Sequence, residues 1–427
     1  MKRIIASAGL AVVGAASVQA AYTPGLTPME QSKPWSVSVA VRGFYDDNMF
    51  SAAKDADKVP GRAGPEESFG VSVKPKVGLN FALDRTVITF NYSYDFRWFE
   101  ARTENEADHI QLADLGISHA FSERLKVDAS DRFTYAQEGA VRIDDVQSLV
   151  GRSDGDYVHN RAKAGVTAGV TERLNLTVSY QNDIWDFENS GVNSFSALLD
   201  RMEHLGTVEL GYSVTPATSA GIGYMYKDVS SRSSDMISTA AGLQPADSRN
   251  NRSHFIYGGV EHQFNAQLDA ALRAGIQLVD FVNVEDNTAG YDSSAEIPFV
   301  DASLGYAYNP GSSLRIGVKH TMAATSVASA LSQDATAVYA NLNHAITPKW
   351  SLGAMALYQY SSLRGGFYDG DNEQLFVAGV NVNYAISTSL SAELGYNYDN
   401  LSSDLNTALD LRSYDRNRVY VGLRAAF

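Results

Sequence analysis

Arginine and lysine side chains that recur on one side of alternating segments are the residues best suited to chemistry in this sequence. Successive side chains of a strand point to opposite faces, so basic residues an even number of positions apart share a face. Rings of such residues select anions when they line a water-filled pore. The basic residues in this phase are Arg42, Lys74, Lys76, Arg97, Lys126, Arg132, Arg161, Lys163, Arg273, Arg315, Lys319, Arg416, Arg418 and Arg424.

Acidic residues projected onto the same polar faces are fewer, which predicts a basic majority around any enclosed channel. Two interpretations follow, and the sequence leaves both open. The excess charge selects anionic or neutral polar solutes, or the charges pair with one another and only brace the wall. The acids concerned are Asp95, Asp114, Asp128, Asp183, Glu209, Asp269, Asp301 and Glu393.

Tyrosine followed directly by aspartate recurs near the ends of the alternating segments. This pattern predicts an aromatic belt at a membrane interface with solvated acids just beyond it. An acidic rim that binds Ca²⁺ or Mg²⁺ is the alternative, because carboxylates suit hard cations. The spacing around Asp369 and Asp371 lacks a distal glutamate, so we predict no dedicated metal centre. The pairs begin at Tyr45, Tyr94, Tyr291, Tyr368, Tyr398 and Tyr414.

Motifs of the common hydrolases and nucleotide-binding enzymes are absent from the sequence, and there is no cysteine. His109 beside Asp108, and His159 near Asp154 and Asp156, have the residue types of a hydrolase site at a barrel rim. Eight scattered histidines produce such neighbours by chance. We therefore predict no enzymatic activity and no cofactor, with a rim-site hydrolase as the less favoured alternative.

The elements that position these residues are strands. Residues 86–98 alternate strictly, and their apolar and aromatic face is longer than the 9 to 11 residues that cross a membrane when tilted. Short polar turns alternate with long loops rich in Ser, Asp, Asn and Gly, as in outer-membrane barrels. We predict an all-β, antiparallel transmembrane β-barrel of about 18 strands, with 16 as the alternative. The turns lie at 84–85, 122–124, 171–173, 215–217, 265–266, 309–311, 347–349 and 387–389.

Asp131 is the residue that fits this projection badly. It falls in phase with Val127, Ala129 and Phe133, which would turn a carboxylate toward lipid. A β-bulge at residues 129–131 would reverse the phase and bring Asp131 to the polar face, so we predict one there.

The first 20 residues have the pattern of a secretory signal. Lys2 and Arg3 precede a short apolar run that ends in Val18-Gln19-Ala20. We predict a signal peptide over 1–20, a periplasmic segment over 21–34 and the barrel over 35–427. The formal net charge of −15 argues against binding of nucleic acid.

Two local stretches resemble known outer-membrane families. Residues 35–50 end in Tyr45-Asp46-Asp47-Asn48-Met49-Phe50 and resemble the opening strand of the β-barrel porin families of Gram-negative bacteria. The last strand is similar to the C-terminal signal that the barrel-assembly machinery reads, which would assign that role to Val421, Leu423 and Phe427. The resemblance implies a passive outer-membrane channel and brings no catalytic residues.

The sequence as a whole predicts a channel in the cell outer membrane for passive diffusion of small polar or anionic solutes. The alternative is a structural or adhesive barrel whose own loops plug the pore. Expected partners are outer-membrane lipid and lipopolysaccharide, the assembly machinery and small polar solutes. The sequence leaves open whether loop 139–154 or loop 230–250 folds inward, and whether three copies form a homotrimer.

Overall fold

The computed structural model describes residues 34–138, 145–147, 152–239, 242–284, 291–405 and 411–427. The predicted signal peptide and residues 21–33 of the predicted periplasmic segment lie outside the described residues. No helix in the described part of the chain is long and apolar enough to cross a membrane.

Twenty strands and one short α-helix make up the regular structure of the described residues, apart from three short 3₁₀ turns. They are β1 (Trp35–Asp46), β2 (Ser68–Ala82), β3 (Thr86–Phe99), β4 (Ala107–Ser122), β5 (Leu125–Glu138), β6 (Arg152–Gly169), β7 (Leu174–Phe187), α1 (Phe195–Leu199), β8 (Arg201–Thr215), β9 (Thr218–Ser231), β10 (Met236–Thr239), β11 (Gly242–Pro245), β12 (Asn251–Gln263), β13 (Leu268–Phe281), β14 (Ser294–Asn309), β15 (Ser312–Ala323), β16 (Ser332–Ala345), β17 (Trp350–Arg364), β18 (Asn372–Ala385), β19 (Leu390–Ser403) and β20 (Tyr414–Ala426).

Eighteen of these strands form one closed antiparallel sheet. Each strand pairs with its neighbours in sequence, except that β9 pairs with β12 past the small hairpin β10–β11. The first strand β1 pairs with both β2 and the last strand β20, which closes the barrel. Closure leaves no strand edge with unpaired backbone groups, as a membrane requires. The prediction of 18 strands is confirmed, as is the alternation of short turns and long loops.

The outer wall of the barrel carries the apolar side of each strand. Val421 and Leu423 of β20 stay 62% and 52% exposed, and Ile222 of β9 stays 69% exposed. Their inward neighbours are polar or small, with Arg424 only 2% exposed. An apolar outer wall around a polar interior is the inverse of a soluble protein and is the pattern of a barrel in lipid.

Asp131 lies on this outer wall, and the predicted bulge at residues 129–131 is wrong. The pairing of β4 with β5 is regular from Gln111 opposite Tyr135 to Ala120 opposite Lys126. Asn160 donates to both oxygens of Asp131 at 3.2 Å. Asp131 therefore stays on the outer wall, and a side-chain hydrogen bond from the next strand partly compensates the carboxylate for this position.

We expect Asp131→Asn to stabilise the barrel, because it removes a charge from the lipid side and keeps an acceptor for Asn160. The gain should be about 1 kcal/mol, since acids on the lipid face cost less than the 2 to 4 kcal/mol of a basic residue. Urea unfolding in lipid vesicles measures it. Ser130→Ala, one position along and facing inward, is the control, and a loss of stability in Asp131→Asn would contradict the interpretation.

Candidate functional site

The interior of the barrel is the candidate site. Every basic residue that the sequence groups by phase lies on a strand position whose side chain faces inward. Several acids that the projection left out share this face and reduce the predicted basic majority, although two inward cations, Arg201 and Lys227, were left out as well. These acids could have been found by the same alternation, because Asp46 is in phase with Arg42 and Asp399 with Glu393. The added acids are Asp46, Glu138, Glu203, Glu261 and Asp399.

One group of ion pairs lies where β20 meets β1. Nη2 of Arg416 contacts Asp46 at 2.5 Å and Glu138 at 2.7 Å. Arg418 contacts the same two acids and also Asp399 of β19 at 3.5 Å. Asp46 and Arg416 are almost fully buried. These charges join β19, β20, β1 and β5 and are occupied with one another.

The same wall continues with β2 and β3. Asp95 is held by Arg97 at 3.1 Å and by Lys74 at 3.8 Å, and Arg97 also reaches Glu138 at 3.0 Å. Arg42 of β1 is paired with Glu393 of β19. Arg424 donates from Nη2 to the hydroxyl of Ser38 at 3.1 Å. On this side of the lumen the charges brace the wall, which was one of the two interpretations of the sequence.

In the recurring Tyr-Asp pairs, the two residues face opposite sides of the barrel wall. Tyr45, Tyr94 and Tyr398 face outward, as an aromatic belt requires, and each hydroxyl bonds a side chain on the outer surface. The aspartates that follow them point inward and are buried or ion-paired, so the prediction of solvated rim acids is wrong for these three. Alternation alone explains the motif, because adjacent residues of a strand face opposite sides.

A short segment of the β5–β6 loop crosses the lumen. Asp145 accepts from Nζ of Lys319 on β15 at 2.9 Å and contacts Arg161 on β6 at 3.5 Å. Gln147 donates from its backbone to Gln359 at 2.6 Å. Its carbonyl accepts from Gln333 and Gln359 at 2.7 and 3.0 Å. Because Gln359 lies on β17, nine strands from β6 in either direction, residues 145–147 form a constriction. The sequence had left this loop undecided.

Lys163 lies beside this constriction on β6. It is half-buried and interacts electrostatically with Arg161, Arg273 and Lys319, and with the acid Glu209. Glu209 is already engaged by Arg273 at 3.4 Å and by the hydroxyl of Tyr257 at 2.7 Å. Within the described residues Lys163 makes no ion pair. Its ammonium group is therefore not neutralised by a contact ion pair in that part of the chain, unlike its neighbours Arg161, Arg273 and Lys319.

The periplasmic half of the lumen is open to solvent. Nζ of Lys126 lies 2.8 Å from a carboxylate oxygen of Asp128, and the two side chains are 44% and 39% exposed. Arg315 and Asp269 lie 4.0 Å apart and are also well exposed. Exposed ion pairs of this kind contribute little to stability. The remaining two predicted residues, Arg132 and Lys76, also face inward, and Arg132 is paired with Asp114 at 2.5 Å. This half forms a wet vestibule below the constriction.

The extracellular half is covered by loops that fold inward. Helix α1 places Leu198 and Leu199 against Ile110, Tyr157 and Phe187 of the inner wall. Its N-terminus is capped by Ser194, whose hydroxyl accepts from the amide of Ala197 at 3.0 Å. A short helix with a polar cap and an apolar face is stable here because the face is buried.

Arg249, in the β9–β12 connection, joins three of these loops. It donates to the carbonyls of Leu198 at 3.0 Å, Thr325 at 2.6 Å and Val327 at 2.5 Å. Among the described residues no carboxylate forms an ion pair with it, and burial lowers its pKa to about 9. Nothing in the sequence marked Arg249, because its partners are backbone groups of distant loops. We call residues 188–200, 246–250 and 324–331 the lid.

The histidines proposed for a rim hydrolase are not assembled with their acids. His109 faces outward and bonds Tyr94, whereas Asp108 faces inward and pairs with Arg102. His159 faces inward, stacks on Trp185 and contacts Asp183 at 3.1 Å. Asp156 is engaged by Tyr135 and Gln137. In the part of the chain that the structure describes, no group of three or more potential metal ligands comes together.

The comparison with protein families matches residues 293–427, from β14 to the end of β20, to a family described as "Putative beta-barrel porin 2". This stretch is similar to that family. The resemblance stated from the sequence is confirmed, and the closed barrel with its apolar outer wall is an outer-membrane β-barrel. No curated protein matches the chain.

Three solved structures of porin-type barrels are similar to this chain. The BenF-like porin from Pseudomonas fluorescens Pf-5 is 10% identical with a TM-score of 0.44, and the match covers 92% of this chain and 99% of that one. For opdK from Pseudomonas aeruginosa the values are 11%, 0.41, 92% and 99%. For OccAB3 from Acinetobacter baumannii they are 10%, 0.42, 92% and 99%. The family match covers residues 293–427, and the closed barrel is seen in the structure itself.

We expect Arg249→Ala to loosen the lid of this barrel, because the carbonyls of two loops lose their common donor in a third loop. Each lost charge-assisted bond is worth about 1.5 to 3 kcal/mol. Single-channel recordings should show a larger or noisier conductance than wild type. Arg249→Lys keeps the charge with fewer donors and should be intermediate. An unchanged conductance in Arg249→Ala would show that the lid does not depend on this residue.

The lid should also respond to pH through Asp200, which follows α1. Burial raises the pKa of Asp200 to about 6, although its oxygens accept from the amide of Phe187 and the hydroxyl of Ser196. A raised pKa of an acid stabilises the folded lid at low pH, and this stability is lost as pH rises through about 6. The protection factors of the α1 amides, which are exchange rates corrected for the intrinsic rate at the same pH, should be higher at pH 5 than at pH 7.5. Asp200→Asn should remove this difference in protection.

Proposed function

We propose that this porin is a passive channel for small anionic solutes, and that Lys163 is the group they meet at the constriction. The observation that carries the proposal is the position of Lys163. It is an inward lysine without an ion pair in the described lumen, next to Arg161, Arg273 and Lys319. An anion there would interact with several positive charges and with one acid that already has two partners.

The constriction supports a limit to small solutes. Residues 145–147 reach from the β5–β6 side to β15, β16 and β17, and their contacts on the far wall are direct. Any solute must pass beside this segment. The amides of Gln333 and Gln359 on the same wall are buried and bonded to Gln147, so they hold the segment in place.

The buried ion pairs where β20 meets β1 support two separate roles for the predicted pore-lining residues, one in the stability of the wall and one in ion preference. Arg42, Lys74, Arg97, Arg416 and Arg424 are occupied within the wall. In this proposal they hold the barrel's shape, and the residues around the constriction determine ion preference.

A structural barrel with a plugged pore is the second candidate, and the lid favours it. Arg249 fastens the lid over the mouth, and a second tie joins the neighbouring loops, since Arg412 contacts Glu373 at 2.5 Å and the hydroxyl of Ser326 at 3.0 Å. Planar-bilayer recordings separate the two. A channel gives discrete conductance steps, whereas a plugged barrel gives none at high protein load.

The other expected partners, lipid and the assembly machinery, follow from the location of the barrel in the outer membrane. The channel contacts outer-membrane lipid, and we propose that the assembly machinery binds the last strand through Val421, Leu423 and Phe427. All three are more than half exposed on the outer wall. The amide of Phe427 donates to Val37 of β1 at 2.9 Å, so the last residue also takes part in closing the barrel. The proposed transport needs no catalytic group.

Replacing Lys163 should change ion preference. A unit charge about 7 Å from a permeating ion attracts an anion and repels a cation by about 0.6 kcal/mol each in water, so Lys163→Gln should lower the anion-to-cation permeability ratio by roughly sevenfold. Reversal potentials in a KCl gradient measure the ratio. Lys74→Gln is the matched control, since Lys74 is also an inward lysine but is buried against Asp95. Equal effects of both changes, or cation selectivity of the wild type, would refute the proposal.

Replacing Asp145 should widen the constriction. Asp145→Asn removes the partner of Lys319 and Arg161 at the end of the crossing segment and leaves the Gln147 contacts in place. We expect higher single-channel conductance together with a stronger anion preference, because the lumen loses one negative charge beside Lys319 and Arg161, although Arg161 keeps its pair with Asp183. Asp128→Asn, in the open vestibule, should change conductance much less. A fall in conductance would mean that the segment does not limit the path.

A further inference from the structure

Seven of the eight histidines face away from the lumen, on the wall that contacts lipid. Their strand positions are in phase with exposed apolar residues such as Leu115, Val208 and Val338. The exception is His159, which faces inward. The outward set is His109, His119, His204, His254, His262, His320 and His344.

Each outward histidine is fixed through the same ring nitrogen. Nδ1 of His109, His204, His254 and His344 lies 2.6 to 2.8 Å from a tyrosine hydroxyl of another strand. Nδ1 of His119, His262 and His320 lies 2.7 to 2.8 Å from a threonine hydroxyl in the same way. The tyrosines are Tyr94, Tyr180, Tyr224 and Tyr308, and the threonines are Thr86, Thr218 and Thr336.

These bonds restrict what the rings can present to their surroundings. A hydroxyl bonded to Nδ1 can donate to it or accept from it, and the neutral ring carries its proton on Nε2 when the hydroxyl donates. The side-chain amide of Asn182 also lies 3.3 Å from Nδ1 of His204, which favours Nδ1 as the acceptor there. For the proposal below we take this tautomer for all seven rings. Among the described residues none of the seven makes an ion pair or a hydrogen bond through Nε2, so in this tautomer each ring offers one oriented N–H donor on the outer wall.

The seven donors fall at two levels. His109, His204, His254 and His320 are the third or fourth residues from the extracellular ends of their strands. His119, His262 and His344 are within four residues of the periplasmic ends. A 14-residue strand tilted by about 40° spans roughly 35 Å along the membrane normal, whereas the apolar band is about 25 Å tall. Both sets thus lie where hydrocarbon gives way to headgroups. We call them the outer and inner histidine belts.

We propose that the two histidine belts bind the phosphate groups of lipid headgroups. Phosphate is an acceptor without donors when fully ionised, and it lies at this level of a bilayer. An N–H whose direction is fixed by a second hydrogen bond loses little freedom on binding it. The nearby outward acids do not compete, because Asp228 is engaged by Arg252 at 3.1 Å and Asp131 by Asn160.

The proposal is tested by substitutions that replace one ring nitrogen of each histidine and not the other. Asparagine places an oxygen near the position of Nδ1 and keeps the hydroxyl bond, but it has nothing at the position of Nε2. Glutamine reaches the position of Nε2 with an amide N–H. The inner-belt variant His119→Asn, His262→Asn, His344→Asn is therefore compared with the corresponding glutamine variant. The same pair is made for His109, His204, His254 and His320.

The measurement is native mass spectrometry of the detergent-purified barrel after equilibration with dioleoyl phosphatidylglycerol or with digalactosyl diglyceride, which has no phosphate. We expect wild type to retain several times more phosphatidylglycerol than galactolipid. The asparagine variants should lose this preference by about fivefold, and the glutamine variants should recover part of it. His159→Asn, on the inner wall, should behave as wild type. Heat-modifiable mobility on gels confirms folding of each variant.

Two results would overturn the proposal. One is equal retention of phosphatidylglycerol by wild type and by folded asparagine variants. The other is a wild-type barrel that retains galactolipid as well as phosphatidylglycerol, which needs no variant and so stands even where a variant fails to fold.

Discussion

The barrel depends on the mutual neutralisation of charges that its own wall turns inward. A wall of 18 strands encloses more space than its side chains can fill, and buried charges are tolerated only when paired. Glu138 shows how the two conditions are met together. It leaves the end of β5, reaches over the inner wall and meets Arg97, Arg416 and Arg418, which come from β3 and β20. One carboxylate thereby fills space and ties strands on both sides of the closure.

This arrangement divides the interior into three levels with different physical characters. Apolar loop residues and backbone bonds to Arg249 cover the extracellular level. At the middle level the crossing segment 145–147 lies between walls that differ in chemistry, with cations on one side and glutamine amides on the other. Below it, exposed ion pairs such as that of Lys126 and Asp128 line an open vestibule. In the proposed channel, a solute from outside would pass the apolar lid first, then the charged groups beside the crossing segment, and finally the open vestibule.

Strand positions could be predicted from the sequence because alternation and turn residues are local signals. The inward phase of Arg42 or Lys319 follows from counting in twos. Partners could not be predicted in this way, since Arg416 and Asp46 are 370 positions apart and meet only because β1 and β20 close the barrel. Gln147, Gln333 and Gln359 carry no pattern at all. The position of Asp131 was predicted wrongly for a related reason. Its hydrogen-bond partner, Asn160, lies on the next strand, whereas the alternation of side chains is a pattern of one strand alone.

The crossing segment is fastened to the wall by two kinds of bond, and these respond differently to the surrounding medium. Asp145 is held by ion pairs at contact distance in a half-buried position, which dissolved salt weakens only slightly. Gln147 is held by neutral amides in a buried position, where there is no net charge for salt to screen. Any effect of ionic strength on the crossing segment is therefore confined to its Asp145 end, and the Gln147 end stays attached to the far wall in dilute and concentrated salt alike.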